Sequence, residues 1–254
     1  MDNINYYCYY NSRKVMKEAI KQIVKKIPIA FTKNQQYDKQ TKKVIKEVCS
    51  SDSCCIDIGA HKGEVLDIML NSAPNGTHYA FEPIPHMFKD LQKKYEQVSN
   101  CKIFDYALSN NTGTATFNYV ISNPSYSGLI KRKYDRDNEE DTTIEVKTEL
   151  LDNIIPENYK PNLIKIDVEG GELLVLEGAK KTITRTQPTI IFEHGLGASD
   201  YYGSTPEKVF ELLSECGLRI STMERWLNNK PCFTQEEFTK HYYRQLDYYF
   251  IAYP

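Results

Sequence analysis

The stretch Asp57-Ile58-Gly59-Ala60-His61-Lys62-Gly63 carries the most chemical information in the chain. It follows the short apolar run Ser53-Cys54-Cys55-Ile56 and precedes a helical pattern through Val65, Leu66, Ile68, Met69 and Leu70, so a strand turns here into a helix. Glycines at 59 and 63 permit a tight turn and close approach of a ligand to the backbone. The helix start beyond them exposes unpaired N–H groups. The turn is not G-x-G-x-x-G, because Ala60-His61 follows Gly59. Nor is it a phosphate-binding Walker loop, because no Gly-Lys-Ser/Thr follows. An acid immediately before the turn favours a ligand carrying positive charge over a pyrophosphate.

Two more acids stand at the ends of successive predicted strands. Glu82 follows His78-Tyr79-Ala80-Phe81 and lies 25 residues after Asp57. A carboxylate at a second strand end is the usual partner of ribose hydroxyls in nucleotide-binding α/β folds. Asp105 ends the strand Lys102–Asp105 and is placed to accept a hydrogen bond from an adenine amino group. S-adenosylmethionine, with an ammonium, a sulfonium, a nucleoside and no phosphate, matches this set. The cofactor-binding residues expected on these grounds are Asp57, Gly59, His61, Gly63, Glu82 and Asp105.

The elements that must position these residues follow an α/β rhythm. Strand, helix, strand, helix, strand runs from residue 53 to 105, with a helix around Met87 to Val98. This is the alternation of a parallel sheet, whose right-handed crossovers bring consecutive strand ends to one edge. β-rich stretches at Thr114–Ile121 and Thr143–Lys147 interrupt it. Between them Lys131–Asp141 has nine charged residues in eleven, which reads as a solvated loop with no site implied. The rhythm resumes with Asn162–Asp167, a helix from Glu172 to Thr184, the strand Thr189–Glu193, and a helix from Pro206 to Cys216 capped by Thr205 and ended by Gly217. Leu218–Met223 and Tyr248–Ala252 read as closing strands.

Composition bounds the class. The 254 residues include 32 basic and 34 acidic side chains, 41% hydrophobic and 12% aromatic residues, as expected of a folded domain. A net charge of -2 argues against nucleic acid as a partner. No apolar run is long enough to span a bilayer, and residues 1–10 lack the pattern of a signal peptide. Seven cysteines without paired spacing suggest reduced thiols and a cytoplasmic location. Residues 1–46 nevertheless hold eleven basic and three acidic side chains. Met16, Ile20, Ile23, Val24 and Ile27 are spaced as on a helix among Arg13, Lys14, Lys17, Lys21, Lys25 and Lys26, which leaves peripheral contact with an acidic membrane surface open. The expected organisation is a basic helical appendage over residues 1–46 and one domain over 47–254.

The turn at 57–63, Phe81-Glu82-Pro83, Ala107-Leu108-Ser109, Leu150-Leu151-Asp152 and the block Leu163-Ile164-Lys165-Ile166-Asp167-Val168-Glu169-Gly170-Gly171-Glu172 together resemble the FkbM-type S-adenosylmethionine-dependent methyltransferases. The resemblance covers roughly residues 50 to 195. It implies a class I methyltransferase fold, Rossmann-like, with a seven-stranded mostly parallel sheet, one antiparallel strand and helices on both faces. It also implies O-methylation of a hydroxyl on a sugar, glycan or glycosylated metabolite. His61 stands where the family usually has Asn, which a backbone role would tolerate and a side-chain amide contact would not.

In such a fold the ends of the fourth and fifth strands flank the transferred methyl group. Asp167, Glu193 and His194 are therefore the catalytic candidates, with neutral His194 favoured for proton removal. Glu169 and Ser127, the latter in Ser125-Tyr126-Ser127-Gly128-Leu129, are expected on the acceptor side. The five histidines are dispersed and no metal is expected, although Asp167, Glu169 and Glu193 could together face a Mg²⁺ ion. Two other readings stay open at this point: a nicotinamide-dependent sugar-nucleotide enzyme and a non-catalytic cofactor- or glycan-binding module.

Overall fold

Four-residue apolar strands lie at the centre of the molecule, and nearly every residue in them is buried. A computed structural model describes residues 32–134 and 138–254, of which Gln40–Pro254 form one compact unit. The basic helix expected over residues 13–27 lies outside the described residues. A helix, α1 (Lys33–Val48), leads into β1 (Cys55–Ile58), α2 (Glu64–Ser72), β2 (His78–Phe81), α3 (Pro85–Lys94) and β3 (Cys101–Phe104). Pro85 starts α3, where its missing N–H costs nothing, and Met87 and Leu91 bury one face of that helix.

The strands β4 (Tyr106–Leu108), β5 (Gly113–Val120) and β6 (Asp141–Glu149) form a separate three-stranded sheet in the order β4-β6-β5. After the short helix α4 (Leu151–Ile154) come β7 (Leu163–Ile166), α5 (Glu172–Gly178), α6 (Lys180–Thr186), β8 (Thr189–Glu193) and α7 (Pro206–Glu215). The chain closes with β9 (Arg219–Ser221), α8 (Met223–Leu227), α9 (Gln235–Tyr243) and β10 (Tyr249–Tyr253). The main sheet has seven strands in the order β3-β2-β1-β7-β8-β10-β9, with β10 antiparallel to both neighbours. The class I methyltransferase architecture implied by the resemblance is the architecture observed.

Strand alternation divides the sheet into two unlike faces. Ile56, Ile58, Phe81, Ile164, Ile166, Ile190, Phe192 and Phe250 belong to the large core that includes Leu176 of α5, Ile183 of α6, Val209 and Leu213 of α7, and Phe238 of α9. The opposite face carries a smaller cluster with Ala80, Leu66 of α2 and Leu91 of α3. Asp57 and Lys165, neighbours in register on β1 and β7, belong to this second face.

Several elements depart from the sequence pattern. The single helix expected over 172–184 is two, broken at Ala179. Asp152 explains the second start: its carboxylate accepts from the N–H groups of Lys181 and Thr182 at 2.9 and 2.8 Å, capping α6 from 29 residues away. The strand expected through Met223 stops at Ser221 because Thr222 caps α8, and Thr234 with Glu237 forms a capping box on α9; neither helix was expected. The charged stretch 131–141 is not simply solvated. Tyr134 accepts from Asn118 and donates to Asp141, whose carboxylate also pairs with Lys131.

Gly178 ends α5 against the carbonyl of Ser109, and an added Cβ there would lie 2.0 Å from that oxygen. Alanine's better helix propensity, about 1 kcal/mol, is outweighed by overpacking against backbone. Gly178→Ala is expected to destabilise the protein by about 1–3 kcal/mol, read as a lower urea midpoint.

Candidate active site

The sheet's strand order reverses direction between β1 and β7, which places a crevice at the carboxyl ends of these strands. Lys165 is buried there, with 7% of its side chain exposed. Its ammonium donates to the Gly59 carbonyl at 3.0 Å and lies 3.6 Å from Asp57 and 3.4 Å from Asp167. Burial would lower the Lys165 pKa, but the two carboxylates reverse the sign and hold it above its ordinary value. Asp57 is fully buried, with the Lys165 ammonium 3.6 Å away and the Leu66 backbone N–H beside its carboxyl. Burial pushes its carboxyl up while Lys165 pulls it down.

Gly59 has φ +75°, and an added Cβ would sit 1.9 Å from the Asp167 carbonyl, so only glycine fits where the turn crosses β7. Four of the turn's N–H groups are already bonded, contrary to what a ligand-cradling loop would suggest. Those of Gly59 and Ala60 go to the Phe81 carbonyl, that of His61 to Glu82 at 2.8 Å, and that of Gly63 to Ala60. Glu82 spans two loops, since its other oxygen accepts from Ile84 at 3.0 Å. Burial raises the Glu82 carboxyl to about 7. His61 adopts φ +50°, and burial lowers its pKa. Asp105 stands just beyond β3, more exposed, and pairs with Lys147 at 2.9 Å.

On the other side of Lys165 the acids converge. Asp167, Glu169 and Glu193 each bring an oxygen within 4.8 Å of the others. Asp167 and Glu193 stand side by side at the ends of β7 and β8, so ionising one disfavours ionising the other. Burial alone would raise Asp167, but Lys165 and the Tyr249 hydroxyl, which donates to it at 2.5 Å, hold it below its ordinary value. Glu193 is pushed well above the carboxylate range by burial and by the charge of Asp167. Glu169 has φ +58° and pairs with Arg132; burial and Asp167 still raise it to about 8. Glu172 is fully buried at the start of α5, accepts from the N–H groups of Val168 and Gly170 at 3.1 Å each, and is raised to about 7 by burial.

His194 and Ser127 are placed elsewhere. Glu193 and His194 are consecutive, so they point to opposite faces of the sheet. His194 is fully buried in the large core, 4.7 Å from the Tyr242 ring centroid and 6.1 Å from that of Phe238, with neither ring nitrogen hydrogen-bonded. Burial lowers its pKa to about 3. The structure therefore does not bring His194 to the carboxylates. Ser127 is buried and its hydroxyl accepts from Val120 at 2.9 Å, folding the loop that follows β5. That loop crosses toward the acids through Gly128, where an added Cβ would meet the Tyr202 hydroxyl at 2.8 Å, and through Arg132. Lys165, Arg132 and Tyr249 were not singled out from the sequence. A lysine inside Leu-Ile-Lys-Ile was the one available signal.

A family model described as methyltransferase FkbM domain matches residues 57–220. The chain belongs to the FkbM methyltransferase family. It is 28% identical over 196 residues to the hexuronic acid methyltransferase AglP of Haloferax volcanii, covering 75% of this chain and 73% of AglP. It is 26% identical over 148 residues to the 2-O-methyltransferase NoeI of Sinorhizobium fredii, covering 54% of this chain and 61% of NoeI. The solved structure of a methyltransferase FkbM from Methylobacillus flagellatus KT superposes with a TM-score of 0.50 at 18% identity, over 80% of this chain and 44% of that one. That likeness agrees with the fold. Among the described residues of this FkbM methyltransferase, no helix is long and apolar enough to cross a membrane.

Two outcomes follow from these environments. Lys165→Met leaves Asp57 and Asp167 without their shared cation, and is expected to cost about 3–5 kcal/mol at pH 8 and less at pH 5, measured by urea unfolding. Glu82, Glu172 and Glu169 have folded-state pKa values of about 7, 7 and 8, above the ordinary 4.5. The native state thus binds more protons than the unfolded one between these values, and stability is expected to fall as pH rises from about 5 to about 8.

Proposed function

We propose that this chain is an S-adenosylmethionine-dependent O-methyltransferase acting on a hydroxyl of a sugar, glycan or glycosylated metabolite. The observation that carries the reading is the surplus of buried acid at the switch point. Asp57, Asp167, Glu169, Glu172 and Glu193 face only Lys165 and Arg132 as cations among the described residues. Such a site suits a ligand that brings positive charge, as an ammonium and a sulfonium do. The residues present therefore fit the cofactor.

Asp57, Gly59, His61, Gly63, Glu82 and Asp105 would hold it. Each Glu82 oxygen accepts one backbone N–H and keeps a lone pair for a hydroxyl. When bound, S-adenosylmethionine supplies an electrophilic methyl group. The chain's own task is to orient the acceptor and relieve it of a proton. Asp167 and Glu193 stand at the strand ends for that task. Glu169 and the Ser127 loop line the acceptor side. AglP, a hexuronic acid methyltransferase by its name, favours a sugar as acceptor, and NoeI, a 2-O-methyltransferase by its name, favours a hydroxyl. The free thiols at Cys49, Cys54, Cys55, Cys101, Cys216 and Cys232 fit a reducing, cytoplasmic compartment.

Calorimetric titration is expected to give micromolar binding of S-adenosylhomocysteine and none of NAD; absence of the first overturns the reading. With an acceptor found by transfer of a labelled methyl group to a panel of sugars and glycosides, Asp167→Ala and Glu193→Ala are each expected to lower turnover at least ~10²-fold.

A further inference from the structure

The two carboxyls at the ends of β7 and β8 bring oxygens within 4.8 Å of each other, and the sheet sets which groups stand beside each of them. β7 and β8 are parallel with Ile166 beside Phe192, so Asp167 and Glu193 are level one residue further on. β8 and β10 are antiparallel with Glu193 directly opposite Tyr249. Directly opposite residues project from the same face, so Asp167, Glu193 and Tyr249 form a row across three adjacent strands. Within that row the Tyr249 hydroxyl donates to Asp167 at 2.5 Å. The Lys165 ammonium lies 3.4 Å from the same Asp167 oxygen, Oδ2, that takes the Tyr249 hydrogen bond.

We propose that Tyr249 is a positioning residue for the transfer reaction: by donating its hydroxyl to the Asp167 oxygen that also faces Lys165, it keeps that carboxylate ionised and leaves Glu193 the protonated member of the pair, so that Asp167 takes the proton of the acceptor hydroxyl. The inference rests on the methyltransferase reading of the site. In the step itself the acceptor O–H bond breaks, a new O–H bond forms on Asp167, and the acceptor oxygen keeps its electron pair for the methyl carbon. Glu193, already protonated, donates a hydrogen bond to Asp167 and does not compete for the acceptor's proton.

The groups around Asp167 agree with this division. Lys165 on β7 and the Tyr249 hydroxyl on β10 favour its charge. Asp57 on β1, Glu169 in the turn after β7, Glu172 at the start of α5 and Glu193 on β8 oppose it, with Arg132 paired to Glu169 and His61 nearby after β1. Burial acts on both carboxyls, yet Asp167 is held below and Glu193 well above the ordinary value. The difference in direction follows from which of the two has the hydroxyl and the ammonium beside it.

Carboxyl ¹³C NMR of labelled protein, titrated between pH 4 and 9 without cofactor or acceptor, tests the proposal. In the wild type, Asp167 is expected to be ionised at neutral pH while Glu193 still carries its proton; the reverse order overturns the inference. In Tyr249→Phe, Asp167 is expected to titrate about one pH unit higher, a tenfold gain in proton affinity. An unchanged Asp167 titration in a folded variant also overturns it. Glu193→Gln serves as a second variant and is expected to leave Asp167 ionised at neutral pH; protonated Asp167 there counts against the assignment. Because the titration uses no S-adenosyl compound, its failure is distinct from failure of S-adenosylhomocysteine to bind.

Discussion

Lys165 places a full positive charge inside the sheet, and the surrounding architecture is arranged so that this charge is met on every side. An unpaired buried ammonium would lose its proton or destabilise the fold. Here Asp57 from the neighbouring strand, Asp167 two residues along the same strand and the carbonyl of Gly59 surround it. The contact with Gly59 requires the turn after β1 to lie directly over β7, and the lack of room for a Cβ at Gly59 is the consequence. One side chain thereby joins the turn expected to hold a cofactor to the carboxyls expected to handle a proton. A buried ion pair of this kind contributes little net stability over an apolar replacement. Its presence is better understood as fixing charge and geometry at the crevice.

The same face of the sheet spreads those charges in order. Asp57 and Lys165 share one level on β1 and β7, and Asp167, Glu193 and Tyr249 share the level two residues further on across β7, β8 and β10, so their spacing is set by the sheet. Rigid neighbouring strands hold such groups more firmly than loops do. The loop after β5 adds two contacts at the crevice, with Arg132 meeting Glu169 and Tyr202 receiving the Ile130 N–H at 3.0 Å. Glu82 and Glu172 act mainly on backbone, each binding two N–H groups in the turns that border the crevice.

Local patterns in the chain were enough to determine the α/β alternation, the glycine turn at 59–63, the strand-end positions of Asp57, Glu82 and Asp167, and the Thr205 cap, because each depends on periodicity or on neighbours a few residues away. Only the tertiary structure decided the rest. Asp152 caps α6 from a distant segment, Arg132 leaves a charged stretch to meet Glu169, and Tyr249 reaches Asp167 across 82 residues. His194 illustrates the limit most plainly: its type and place beside Glu193 suit a base, but strand alternation turns it into the aromatic core, where burial holds it neutral. Residue type and spacing state which groups are available for chemistry. Strand register and packing determine which of them share a face, a proton and a dielectric, since those depend on contacts between segments far apart in the chain.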